Sequence, residues 1–147
     1  MTVRTDLGSL RLEFTERGVA AVEFCWASEP VSNARLPYRL TQLLQRYAAG
    51  KRVVFAVPVD LSVGTEFQRK VWRVLATIPY GETRSYAWVA RAIGQPRAAR
   101  AVGAACGANP VPLIIPCHRV VASDGSLGGF NAGLKWKKRL LRLEGGR

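Results

Sequence analysis

At 147 residues, 48% of them hydrophobic, the chain is long enough to bury a core and too apolar to be disordered; with no signal segment and no run of membrane-spanning length, it is expected to be cytoplasmic and to have no membrane partner. Its net charge of +12 is uneven: residues 1–60 carry eight Lys/Arg against six Asp/Glu, and residues 61–147 carry fourteen against four. So lopsided a basic excess points to a polyanion, nucleic acid ahead of an anionic membrane, with a merely Arg-rich soluble surface as the plainer alternative.

The first sixty residues read as a small α/β unit. Leu10, Leu12 and Phe14 alternate with polar neighbours, as do Val22, Phe24 and Trp26 after a Glu16-Arg17-Gly18 turn, which predicts a β-hairpin. Leu36, Leu40, Leu43, Leu44 and Tyr47 recur at helical spacing up to Gly50, and residues 52–59 return to an extended pattern that ends at Pro58-Val59. None of this names a function.

From Thr65 the pattern becomes helical. Thr65 and Gln68 form a capping box ahead of the stripe Phe67, Val71, Val74, Leu75 and Ile78, so a helix is expected to run to about Pro79. Ser85 can cap a second helix, Tyr86 to Ile93, stopped by Gly94. Pro96 then suits the first turn of a third helix, from Arg97 to about Cys106. Two short helices around a Gly-containing turn on a basic chain read as a helix-turn-helix. The third helix is nearly bare: Ala98, Ala99, Ala101, Gly103, Ala104 and Ala105 let a surface approach closely, while Arg97 and Arg100 supply charge. It suits insertion into a narrow groove with one arginine presented, or, equally, plain packing.

Asn109-Pro110-Val111-Pro112 leads into Leu113-Ile114-Ile115, a short buried strand or extended run, and then into Pro116-Cys117-His118-Arg119. A thiol is a nucleophile only as thiolate, and here the sole histidine and a guanidinium follow it directly. A buried inert cysteine beside a satisfied core histidine is the blander reading. Neighbours on a regular strand face opposite ways, so either the backbone turns sharply after Pro116 or thiol and imidazole communicate through a water. The three cysteines (25, 106, 117) contain no C-x-x-C pair and, with His118, match no zinc spacing, so neither a disulfide framework nor a metal is expected. Residues 120–127 read as a hairpin turning at Asp124-Gly125, residues 128–133 as a Gly-rich loop, and Leu134 to Leu143 as a last helix. Lys135, Lys138, Arg139 and Arg142 form its basic outer face.

Taken in order, Gly81-Glu82, Ser85-Tyr86, Arg100-Ala101-Val102-Gly103, Asn109-Pro110-Val111-Pro112, residues 115–121, Gly128-Gly129-Phe130 and Leu143-Glu144-Gly145 resemble the O6-alkylguanine-DNA alkyltransferases, over roughly residues 65–146. The resemblance implies a small α/β N-terminal domain (1–60) and a mainly helical DNA-binding and catalytic domain (61–147), with a helix-turn-helix and a short active-site strand or hairpin. It implies a DNA repair protein that flips O6-alkylguanine, and less well O4-alkylthymine, out of duplex DNA and transfers the alkyl group irreversibly to Cys117. His118 would act as base through a water, Glu144 would orient His118, and Asn109 would brace the turn before the active site. Arg100 would replace the flipped nucleotide, Tyr86 would crowd its phosphate and meet the base edge, and Arg97, Ala99, Ala101 and Gly103 would line the minor-groove contact. Pro112, Cys117, Val120, Phe130, Asn131 and Cys106 would line the base pocket. No cofactor or metal is implied, and the protein is expected to meet DNA as a monomer, with cooperative loading left open.

Phe130 and Asn131 stand where other members can show Tyr and Ser, and Cys106 replaces a bulkier apolar residue. The competing reading is a helix-turn-helix damage sensor or regulator without catalysis; such relatives lack the acceptor cysteine that Cys117 supplies. A cysteine hydrolase is the third, and it conflicts with the basic second part.

Overall fold

A computed structural model describes residues 2–25, 38–130 and 132–145. Its chain divides into two compact units, Met1–Asp60 and Leu61–Arg147.

In the first unit, β1 (Thr2–Thr5), β2 (Gly8–Thr15) and β3 (Gly18–Cys25) form an antiparallel sheet in that order. Alternation along β2 and β3 buries Leu10, Leu12, Val19 and Val22, on the period-2 logic that marked the hairpin. β1 carries no such signal and went unforeseen. α1 (Tyr38–Ala48) buries Leu40, Leu44 and Tyr47; Trp26 and Leu36 lie outside the described residues. The extended reading of residues 52–59 survives only as an isolated parallel bridge between Val59 and Val19. Gly18 makes that approach possible: at φ +135° a Cβ there would sit 2.3 Å from the Pro58 carbonyl oxygen.

The second unit is mainly helical. Thr65 and Gln68 form the reciprocal capping box of α2 (Glu66–Leu75). α2 packs on α4 (Ala99–Gly107), where the fully buried Trp72 donates from Nε1 to Ala105 O at 2.8 Å. Ser85 Oγ caps α3 (Tyr86–Ala92) by accepting from Trp88 N. α3 and α4 with the turn at Gly94 make the helix-turn-helix. Pro96 and Arg97 lie in that turn rather than in the helix, which starts two residues later than expected on an N-cap, Ala98, that has no side-chain acceptor.

Two expected strands are absent. Residues 113–115 form turns held by an Ile115 N–H to Val111 O bond and by Leu113 at φ +76°, because two prolines and an internal side-chain brace bend the run. After a 3₁₀ turn at Cys117–Arg119, β5 (Val120–Val121) pairs in parallel with β4 (Arg84–Ser85) instead of folding back as a hairpin. Asp124-Gly125 does turn, but the chain beyond it forms no partner strand. α5 (Leu134–Leu143) has the expected bounds. No helix among the described residues is long and apolar enough to cross a membrane.

Candidate active site

The 3₁₀ turn settles the question the regular strand raised. Pro116 fixes the entry, Arg119 N–H bonds back to Pro116 O at 3.0 Å, and Cys117, His118 and Arg119 are all buried, His118 completely. Asn109 braces the approach from two sides: its Oδ1 accepts from Val111 N at 3.0 Å and its Nδ2 donates to Ile115 O at 2.8 Å. Its side chain also hydrogen-bonds toward Cys117.

His118 Nε2 lies 2.6 Å from Glu144 Oε2. Arg119 grips the same carboxylate with Nε to Oε1 at 2.8 Å and Nη2 to Oε2 at 3.1 Å, and donates from Nη1 to Ile78 O at 2.7 Å. A carboxylate forked by a guanidinium is ionised and can only accept, so His118 donates from Nε2 and its Nδ1 carries the lone pair. Burial holds His118 below its usual range, so the imidazole rests neutral although Glu144 pulls the other way. Nδ1 is the one buried side-chain polar atom without a partner among the described residues. The backbone turn therefore does not produce a direct thiol–imidazole bond.

Burial pushes the Cys117 thiol up to about 11, against hydrogen bonds from Asn109 and the local amides and the charge of Lys137. Arg119, which the sequence set beside the thiol as a possible activator, is committed to Glu144 instead. Cys106 is pushed up to about 12, by burial first and by Cys117 second.

A groove of about 450 Å³ is lined by Tyr86, Ala99, Arg100, Gly103, Gly107, Gly128, Gly129 and Phe130. It brings five of the expected DNA and base-pocket residues onto one surface. Cys117 and Cys106 lie close enough to Tyr86 for both thiols to raise the phenol, whose pKa is raised chiefly by burial. Pro112 and Val120 do not line the groove: Pro112 bridges Ile115, and Val120 sits in β5. Arg97 belongs to a separate hollow with Gln95, Pro96 and Ala98, and Ala101 is exposed outside the groove. Asn131 lies outside the described residues. No cluster of metal-binding side chains occurs among the described residues.

Sequence reasoning missed Lys137 and the use of Arg119. Lys137 is completely buried, although it stands in a Lys/Arg run that reads as solvent-facing. The signal was present in register: Lys137, Leu140, Leu141 and Glu144 fall on one helical stripe.

A family model described as 6-O-methylguanine DNA methyltransferase, DNA binding domain, matches residues 66–146. The chain is 54% identical to the methylated-DNA–protein-cysteine methyltransferase of Mycolicibacterium paratuberculosis over 101 residues, 69% of this chain and 61% of that protein. The corresponding protein of Methanosarcina barkeri is 39% identical over 149 residues, 97% of this chain and 94% of the relative. A crystal structure of Mycobacterium tuberculosis OGT in complex with DNA superposes with a TM-score of 0.84 at 41% identity, covering 97% and 90% of the two chains.

Proposed function

Because the chain belongs to the 6-O-methylguanine-DNA methyltransferase family, we propose that it repairs O6-alkylguanine, and more slowly O4-alkylthymine, by moving the alkyl group once and irreversibly onto its own Cys117. In this reading the Cys117 sulfur attacks the O6-alkyl carbon in line, the S–C bond forms as the C–O6 bond breaks, and the base leaves as guanine after taking up a proton. The thiol proton passes through a water to His118 Nδ1, and the imidazolium is stabilised by Glu144. The thioether is stable, so nothing regenerates the acceptor.

The observation that carries the proposal is the buried, unpartnered Nδ1 of a histidine whose other nitrogen is committed to an ionised carboxylate, one residue from a thiol. A thiol with a pKa of about 11 is ionised in roughly one molecule in ten thousand at pH 7, so reaction depends on a base that takes the proton as attack proceeds. The same suppression spares the thiol from stray electrophiles.

The target base must leave the stack to meet a buried sulfur. Arg100, exposed on the bare α4, is proposed to fill the gap, with Ala99, Ala101, Gly103 and Arg97 against the minor groove and Tyr86 against the extruded nucleotide. Asn109 is proposed to hold the acceptor turn. Cys106, Pro112, Val120, Phe130 and Asn131 are proposed to shape the base pocket. The DNA complex of the M. tuberculosis relative supports DNA as the partner, and the chain is proposed to meet it as a duplex and as a monomer.

Mixing the protein with excess duplex carrying one O6-methylguanine and measuring intact mass tests the proposal. One added methyl, mapped to Cys117, with guanine restored and no second turnover is expected; Cys117→Ser should bind the duplex and gain nothing. Tight binding by an unmodified wild-type protein would mark a damage sensor and overturn it.

A further inference from the structure

Of the basic side chains on α5, Lys137 alone is buried, and burying an ammonium is unfavourable unless each donor is matched. All three are: Nζ donates to Val120 O at 2.7 Å, to Gly129 O at 3.1 Å and to Leu127 O. The carbonyls come from β5, directly after the Cys117 turn, and from the loop that forms one wall of the Tyr86 groove. The ammonium also lies 5.8 Å from the Tyr86 ring centroid.

The loop is held tightly. Gly128, between the two bonded loop carbonyls, has φ +68°, and a Cβ there would fall 2.5 Å from Tyr86 Oη. The Gly129 backbone hydrogen-bonds the Tyr86 hydroxyl. The titratable groups that face Lys137 are Tyr86 from α3, Cys106 from α4, and Cys117 and His118 from the 3₁₀ turn. Its positive charge favours thiolate at both cysteines and opposes protonation of His118. An apolar side chain of similar length would leave the Val120, Leu127 and Gly129 carbonyls without this donor, so the ammonium ties the loop to β5 as well as placing a charge beside the two thiols.

We propose that Lys137 is a positioning residue for alkyl transfer: it clamps the 127–129 loop and the Val120 carbonyl around the Tyr86 groove, and stabilises negative charge on Cys117 Sγ as the sulfur reacts. The proposal rests on the alkyl-transfer reading above. It assigns the loop's shape and part of the thiol's reactivity to one side chain.

Lys137→Met and Lys137→Arg in the full chain test it with two readouts, each beside a melting curve: single-turnover transfer from the O6-methylguanine duplex, and the rate–pH profile of Cys117 alkylation by iodoacetamide. Lys137→Met should slow transfer at least about tenfold and move the iodoacetamide profile up by about one pH unit, while Lys137→Arg keeps the wild-type profile. A Lys137→Met protein that merely melts lower, with its profile unmoved, overturns the proposal. Wild-type protein that reacts with iodoacetamide but takes no methyl from DNA overturns the alkyl-transfer reading instead, and the profile shift still decides the electrostatic role. If neither variant folds, Lys137→Gln, neutral but still able to donate to the loop carbonyls, supplies the same readouts: the iodoacetamide profile should again move up by about one pH unit, and an unmoved profile overturns the proposal.

Discussion

Glu144 places a negative charge at the C-cap of α5, where the helix dipole disfavours it. Arg119 offsets this with a two-point grip, and Gly81 N–H donates to Oε1 at 3.3 Å. The carboxylate is therefore both the anchor of His118 and the counter-charge of a buried guanidinium. Glu144→Gln should cost about 3–5 kcal/mol of stability, because Arg119 is left buried without its partner. Transfer should slow as well, since the imidazolium loses its stabiliser; urea melts and single-turnover rates check the two effects, and an unchanged rate in folded variant removes Glu144 from the proposed relay. Cys106 gives a pH signature. Its folded pKa of about 12 exceeds the unfolded value near 8.5, so above about pH 9 the unfolded chain releases a proton that the folded chain keeps, and stability falls as pH rises. Cys117 adds to the fall and Lys137, whose pKa is lowered, opposes it. Cys106→Ala should flatten the decline in urea midpoint between pH 8.5 and 10.5; an equally steep decline would show that burial of this thiol is not its source.

Elements were legible where their signals are local. The Thr65–Gln68 box, the Ser85 cap and the bounds of α5 follow from residues within one or two turns of each other. Residues 113–115 and 120–127 misled because a short apolar run has no period of its own and because β5 finds its partner far upstream, in a parallel register that local pattern does not encode. The candidate site was read as a set of residues, while its wiring depends on tertiary contact: Arg119 turned to Glu144, and Lys137 turned inward. Thr65→Ala should cost about 1 kcal/mol by breaking the cap of α2, with transfer otherwise intact, as thermal melts and mass spectrometry would record. Arg100→Ala should reduce transfer from duplex far more than transfer from the free alkylated base. Equal losses on the two substrates would remove its proposed part in base extrusion.

Across the whole molecule, the charge imbalance gathers ten of the twelve excess positive charges into residues 61–147. Binding that depends on phosphate contacts releases counterions, so duplex affinity should drop steeply and linearly on a log–log plot against salt. Neutralising Arg97 should make that slope shallower, and a slope indifferent to it would leave Arg97 out of the interface.

The parallel ladder of Arg84–Ser85 with Val120–Val121 has a consequence for folding order. Everything between its strands, both helices of the helix-turn-helix and the acceptor turn, belongs to a single long loop closed by two residues on each side. Closing so long a loop is slow and is compensated only when the enclosed parts dock. The surface proposed to open DNA and the sulfur proposed to react with it should therefore be acquired in one step. Amide exchange in α4 and at Val120 should report a common opening, and a protease nick at the exposed Gly94–Pro96 turn should release both together.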